Sequence, residues 1–345
     1  MTVAIIDDRE VWDRAVDESP YGLIYHKWDF LKIAERHTGW KLLPYAVYNK
    51  TELLSLFPVF YRKEALLRSV FSPPPRSCIP YLGPTMGAVA DIVKGNTREK
   101  YLQTVVDEVS AEINGLSPNF VYVQMPPGFR DIRPFKWNDY VEAANFTYFI
   151  DLGRPLEQIL AGFDQTLRKT VKRAEGLQLD LRQASDACTL YDLLAKRYAE
   201  QGLNVPIPGP GYLKDLTEAF PGNIRMYSLY HGDQIVSANI VSQYKHRLTG
   251  WMGNVRLAQA GKSAEVAGND IMMWTLIKKA KEEGCTEFEI QGAGEKRLWQ
   301  YKSKYNPRLE VSYALTRKDR LGQAAEWAYV NVKKRRWAAP VPAGG

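Results

Sequence analysis

The residues best placed to do chemistry lie in 268–307, GNDIMMWTLIKKAKEEGCTEFEIQGAGEKRLWQYKSKYNP. Lys302 stands on a helical stretch that follows a small-residue break, Gln291–Gly294, at the end of a short apolar strand. A cation and the free amides of a helix start, gathered around one carbonyl, suit acyl transfer. Negative charge collects on the carbonyl oxygen as an amine attacks, and a positive or N–H group aimed there lowers the barrier. Lys302 is the candidate cation, with the backbone of Gln291, Gly292 and Gly294 in support. The alternative for Lys302 is a surface lysine on an exposed helix face.

Two elements must position these groups. Met273, Leu276, Ile277 and Ala280 share one face of a helix whose other side carries Lys278, Lys279, Lys281 and Glu282. Asn269 or Asp270 is placed to cap its start and Gly284 to stop it. Phe288 and Ile290 then alternate with Glu287 and Glu289, the pattern of a half-exposed strand. Upstream, Leu156–Gly176 reads as one amphipathic helix with a stripe of Leu160, Phe163, Leu167, Val171 and Ala174. Its polar side carries Arg168, Lys172 and Arg173, suited to clamping the phosphates of an anionic substrate or to facing water. Trp251, near a strand end, fits either a cleft wall or the core.

Composition narrows the field. With 345 residues the chain has room for two ordinary domains, and 46 Lys and Arg against 39 Asp and Glu give a net charge of +7. The basic residues cluster, at 168–173, 296–304 and 333–336, which suits tRNA, a nucleotide-linked or coenzyme A substrate, or an acidic membrane surface, as well as a plain solvated face. Three scattered cysteines and four scattered histidines argue against a metal site or a disulfide framework. The acidic start MTVAIIDDREVWDR is unlike a signal peptide, so a cytoplasmic protein is expected. Paired catalytic carboxylates, Ser-His-Asp spacing and phosphate-loop motifs are missing, which speaks against hydrolases and nucleotidases.

The pattern repeats in outline. In each half, helices precede a meander of strands, then comes a long helix and a return strand, an α+β plan used twice. The expected division is 1–145, 146–337 with a basic C-terminal helix from Gly322 to Arg336, and a tail 338–345. The segment Phe71–Pro84 is too rich in proline for regular structure.

Three motifs carry a family resemblance: LRKTVKRAEGLQL at Leu167–Leu179, the stretch from Gly268 to Ala293, and YKSKY at Tyr301–Tyr305. The chain resembles the Fem-like aminoacyltransferases, and YHKWDFLKIAERHTGW at Tyr25–Trp40 is similar to that family's opening helix. The resemblance implies two tandem GNAT-like domains with mixed, mostly antiparallel sheets flanked by helices. It implies transfer of an aminoacyl group from tRNA, or an acyl group from another carrier such as acyl-coenzyme A, to an amine, with no bound cofactor and an anionic acceptor. Lys302 matches the family's lysine near the transferred carbonyl or the donor. Arg168 and Arg173 match basic positions that reach acceptor phosphates. Tyr301 corresponds to a helix tyrosine used in related acetyltransferases to protonate the leaving group, and core packing is its other and better-fitting reading. Arg256–Gly261, RLAQAG, departs from the pyrophosphate loop of coenzyme-A-dependent relatives. A non-catalytic RNA- or envelope-associated binding protein is the reading from another class.

Overall fold

The structure, a computed structural model, describes residues 1–87, 93–253, 267–294 and 296–333. It divides into two compact units, and the division does not follow sequence order. The first comprises Met1–Ala144, Gly202–Pro208 and the chain from Ser312; the second, Asn145–Gln201 and Gly209–Val311.

In the first unit the strands are β1 (Thr2–Ile5), β2 (Lys41–Asn49), β3 (Glu52–Glu64), β4 (Leu67–Ser72), the two-residue β5 (Thr85–Met86) and β6 (Phe120–Gln124). β1 to β4 form an antiparallel meander, and β4 then pairs parallel with β6, Ser69 opposite Phe120 and Ser72 opposite Val123. A parallel neighbour demands a crossover. It is made by a helix whose Leu102, Val105, Val106, Val109 and Ile113 face Val121 and Val123 in the core. Helices α1 (Arg9–Glu18) and α2 (Trp28–Thr38) precede the meander, and the crossover helix is α3 (Gly95–Gly115). The short α4 (Arg133–Trp137) follows β6. α1 was not expected. Its start is set by Asp8, whose carboxylate accepts from the backbone of Glu10 and Val11.

The second unit repeats this order. β7 (Val141–Asp151) enters it, and α5 (Leu156–Gly162) and α6 (Gln165–Ala174) follow. Then come β8 (Leu179–Ala184), α7 (Ala187–Glu200), α8 (Pro210–Ala219), β9 (Ile224–His231), β10 (Gln234–Tyr244), β11 (Arg247–Gly253), α9 (Gly268–Glu282), β12 (Glu287–Ile290) and α10 (Lys296–Ser303). β8 to β11 form the meander, β11 pairs parallel with β12, and α9 makes the crossover. Strand β13 (Arg308–Lys318), helix α11 (Arg320–Ala328) and a π-helical turn, Tyr329–Lys333, end the description.

The closing strand of each sheet comes from the other half of the sequence. β6 is paired antiparallel by β13, Gln124 opposite Ala314 and Phe120 opposite Lys318, and Leu315 lies fully buried in the first core. β12 is paired antiparallel by β7, Ile290 opposite Tyr148 and Glu287 opposite Asp151. The residues from Ser312 therefore belong with the first unit, not with a C-terminal domain 146–337. Gly202–Pro208, with the fully buried Ile207, joins the first unit as well.

Three local readings change. The single helix Leu156–Gly176 is two helices: Phe163 is extended and buried, and Asp164 caps α6 by accepting from the Leu167 amide at 2.8 Å. Neither Asn269 nor Asp270 caps α9. Ala267 holds that position, Asn269 accepts from Ser237, and Asp270 turns to Lys304. Glu289 is buried, 2% exposed, and not half-exposed, because Thr147 and Thr249 of the flanking strands close over it.

Candidate active site

The site is built where the two parallel strands of the second unit part. β11 and β12 stay paired from Arg247–Glu287 to Gly250–Ile290. Beyond that, β11 continues along β10 alone, with Trp251 as an extra residue between the Gly250–Val241 and Met252–Ile240 pairs, while β12 ends in the turn Gln291–Gly294. A bulge of this kind bends the strand. The bend ends at Gly253, where a Cβ would lie 2.6 Å from the Asn239 backbone. The start of α9 is held as tightly, since a Cβ on Gly268 would lie 2.4 Å from the Val236 carbonyl oxygen.

Lys302 occupies the last turn of α10 and is 7% exposed. Its Nζ donates to the carbonyl oxygen of Gln291 and, at 3.4 Å, to that of Gly292. Gly292 has φ of +77°, and a Cβ there would stand 3.0 Å from the Lys302 Nζ. The turn thus requires glycine both for its backbone and for the lysine's approach. The residues expected to offer amides offer carbonyls here, and the Ala293 amide is engaged by the Phe146 carbonyl at 3.1 Å. Gly294 is exposed beside the Phe146 ring. Gln291 Nε2 is buried without a hydrogen-bond partner, as is Asn239 Oδ1 on β10. A buried amide group so placed costs stability unless something else meets it. Asn239 was not singled out from sequence; an asparagine inside an apolar strand was the available signal.

Tyr301 is turned away from this turn. Its hydroxyl lies 3.2 Å from that of Tyr305, which donates to Asp270 Oδ1 at 3.2 Å. Lys304 Nζ lies 2.6 and 2.7 Å from the two Asp270 oxygens and 4.2 Å from the Tyr301 ring centroid. Burial, then the Asp270 charge, pushes the Tyr301 phenol far above its ordinary range. Burial likewise raises Tyr305, with the neighbouring Tyr301 and Asp270 adding to it. The pair holds α10 against the start of α9.

The sequence-predicted binding residues divide. Arg168, Lys172 and Arg173 are exposed along α6, whose Leu167 and Val171 point inward and which packs on α9. No carboxylate among the described residues pairs with them. Trp251 is 4% exposed, a core residue at the bulge and not an open wall. Residues 254–266, including Arg256–Gly261, and the basic residues 334–336 lie outside the described residues. Among the described residues, no three His, Cys, Asp or Glu gather as a metal site would, and no helix is long and apolar enough to cross a membrane.

Residues 161–303, the span that holds the bulge, the crossover helix and Lys302, match the model of the acetyltransferase (GNAT) domain. That span is thereby a GNAT-type acetyltransferase domain. The fold is similar to that of FemX, whose crystal structure superposes with a TM-score of 0.68, covering 94% of this chain and 100% of that chain at 12% identity. The structure of L-PGS from Bacillus licheniformis matches with a TM-score of 0.54 at 14% identity, covering 93% and 95% of the two chains. A tandem GNAT protein from the clavulanic acid biosynthesis pathway matches at 0.51 and 8% identity, covering 92% and 98%. At these identities the likeness is one of fold. No curated protein matches the chain by sequence.

Proposed function

We propose that the second unit transfers an aminoacyl group from an activated carrier, aminoacyl-tRNA before acyl-coenzyme A, to an amine of an anionic acceptor. The observation that carries this reading is Lys302, a nearly buried cation fixed by the Gln291 and Gly292 carbonyls where β11 and β12 part.

In the reaction the acceptor nitrogen attacks the ester carbonyl. A C–N bond forms and the C–O bond to the carrier breaks; the attacking nitrogen gives up a proton to water and the leaving oxygen takes one from water, so the carrier leaves as its hydroxyl. The ester already carries the driving force, so orientation supplies much of the acceleration, on the order of 7–11 kcal/mol for well-aligned partners. Lys302 stabilises the oxyanion, and its two carbonyl contacts hold the ammonium still while charge develops. The unpartnered Gln291 Nε2 is a second donor for the same oxygen. Tyr301, committed to Tyr305 and lifted in pKa, serves to position α10 and not to protonate the leaving group. Arg168, Lys172 and Arg173 form the exposed cationic strip to which acceptor phosphates bind. FemX and L-PGS, whose folds this chain shares, support aminoacyl transfer.

The GNAT domain match favours acyl-coenzyme A as the second reading of the same site. A mass-spectrometric screen of aminoacyl-tRNA and acyl-coenzyme A donors against amine acceptors separates the two. Product from aminoacyl-tRNA alone supports the first, product from acyl-coenzyme A alone the second, and no product from either removes both.

A further inference from the structure

The last described helix turns its apolar side outward. α11 is pinned to the first unit by its first turn: Asp319 accepts from the Gly322 amide at 2.8 Å and from Asn119 Nδ2 at 2.8 Å, and its own amide donates to the Asn119 carbonyl at 3.0 Å. The buried residue of the helix is Gly322, where a Cβ would fall 2.0 Å from the Asn119 oxygen. Opposite it, Leu321, Ala324, Trp327 and Ala328 follow at spacings of three, three and one, which places them on one helix face, and all are exposed. Leu321 is 44% exposed and Trp327 65%, and just beyond, Tyr329 is 61% and Val330 47% exposed. An exposed apolar patch of this extent marks an interaction surface.

Charge says what meets it. The sequence continues from Asn331-Val332 into Lys333-Lys334-Arg335-Arg336-Trp337, and within 320–337 Glu326 is the sole acid, paired with Lys318. Leu and Trp on one exposed face, in a sequence that runs on into a block of bases, is the composition of a helix that lies in a lipid headgroup layer. Aromatic side chains favour that depth, and clustered bases are drawn to anionic lipid. We propose that α11 docks this protein on an anionic lipid bilayer, with Leu321 and Trp327 at the acyl boundary and the positive charge of the sequence that follows drawing it to the lipid phosphates. The proposal stands apart from the transfer chemistry, because it involves the first unit's surface and none of the groups around Lys302.

The test is co-sedimentation of the full chain with vesicles of equal parts phosphatidylglycerol and phosphatidylcholine, against phosphatidylcholine alone. Binding is expected to the anionic vesicles only, and to weaken as salt rises. The double variant Leu321→Glu with Trp327→Glu, whose side chains are exposed and whose melting temperature should hold, is expected to lower the partition at least about tenfold. Replacing Lys333, Lys334, Arg335 and Arg336 by Gln is expected to do the same. Equal sedimentation with neutral vesicles overturns the proposal. So does undiminished binding by the double variant. Self-association in sedimentation velocity that the double variant abolishes, without vesicle binding, overturns it by assigning the face to a second copy.

Discussion

Lys304 and Asp270 form a charged pair at 2.6 Å that joins the residue just after α10 to the first turn of α9. Their side chains are 21% and 13% exposed, and Tyr305 completes the cluster from below. Asp270→Ala leaves the ammonium and the phenol without their acceptor. The expected loss is about 1–3 kcal/mol, below that of a fully buried pair because both side chains keep some water. Urea unfolding measures it. Asp270→Asn, which keeps an acceptor, should lose less, and a variant as stable as the parent would show that the pair holds nothing together.

The exchanged closing strands make a stronger claim. A chain ending at Asp151 lacks β13, so β6 keeps an open edge and Val121, Val123 and their neighbours lose Leu315. Such a fragment is expected to aggregate, since an exposed apolar edge strand invites pairing with other chains. Joining residues 308–333 to it by a flexible linker should give a soluble monomer by gel filtration. A monomeric, cooperatively melting fragment 1–151 would refute the exchange.

Much of this fold is readable from local pattern, and the exchange shows where that ends. The α9–β12–α10 layer shows itself through the period of Met273, Leu276, Ile277 and Ala280 and the break at Gln291–Gly294. β7 and β13 are also readable as strands, but which sheet each joins is settled by partners more than 100 positions away, and no local period records it. The same holds for Glu289. Its alternation with Phe288 and Ile290 correctly gives the face but not what covers the face, which is Thr147 and Thr249. The α5–α6 break was hidden because the apolar stripe runs through it, with Asp164 as the one local sign of a cap. α8 starts at Pro210 inside a glycine- and proline-rich stretch, because a proline at the first position of a helix gives up no hydrogen bond. In the site, Lys302 was legible from its place in YKSKY, whereas the turning of the 291–292 carbonyls toward it was not.

Glu283 sets a pH response on the far side of the second unit. Hydrogen bonds from the Arg225 guanidinium, joined by Lys279, outweigh burial and hold its carboxyl below the ordinary 4.5. A carboxylate lowered in the folded state contributes stability that is complete above 4.5 and is lost as pH falls from there through the folded value. Stability should therefore drop in this acid window, and Glu283→Gln should flatten that part of the curve while costing about 1 kcal/mol at neutral pH. An unchanged slope in the variant would show that Glu283 contributes nothing there.

Gly292 links backbone and chemistry. Gly292→Ala meets both a φ of +77° and the Lys302 Nζ at 3.0 Å. The strain is about 1–2 kcal/mol, and relief by moving the lysine should slow transfer more than it weakens folding. Comparing the urea midpoint with the single-turnover rate separates the two. Equal stability and an equal rate would mean that the turn leaves room for a side chain.

The most direct test of the site is the single-turnover transfer rate of Lys302→Ala and Lys302→Arg, using the donor and acceptor found by the screen and variants whose urea midpoints have been recorded. If Lys302 is the oxyanion cation proposed above, Lys302→Ala should slow transfer by about 10²–10³-fold, with partial recovery in Lys302→Arg and acceptor affinity little changed. A Lys302→Ala enzyme that turns over within twofold of the parent would contradict the account.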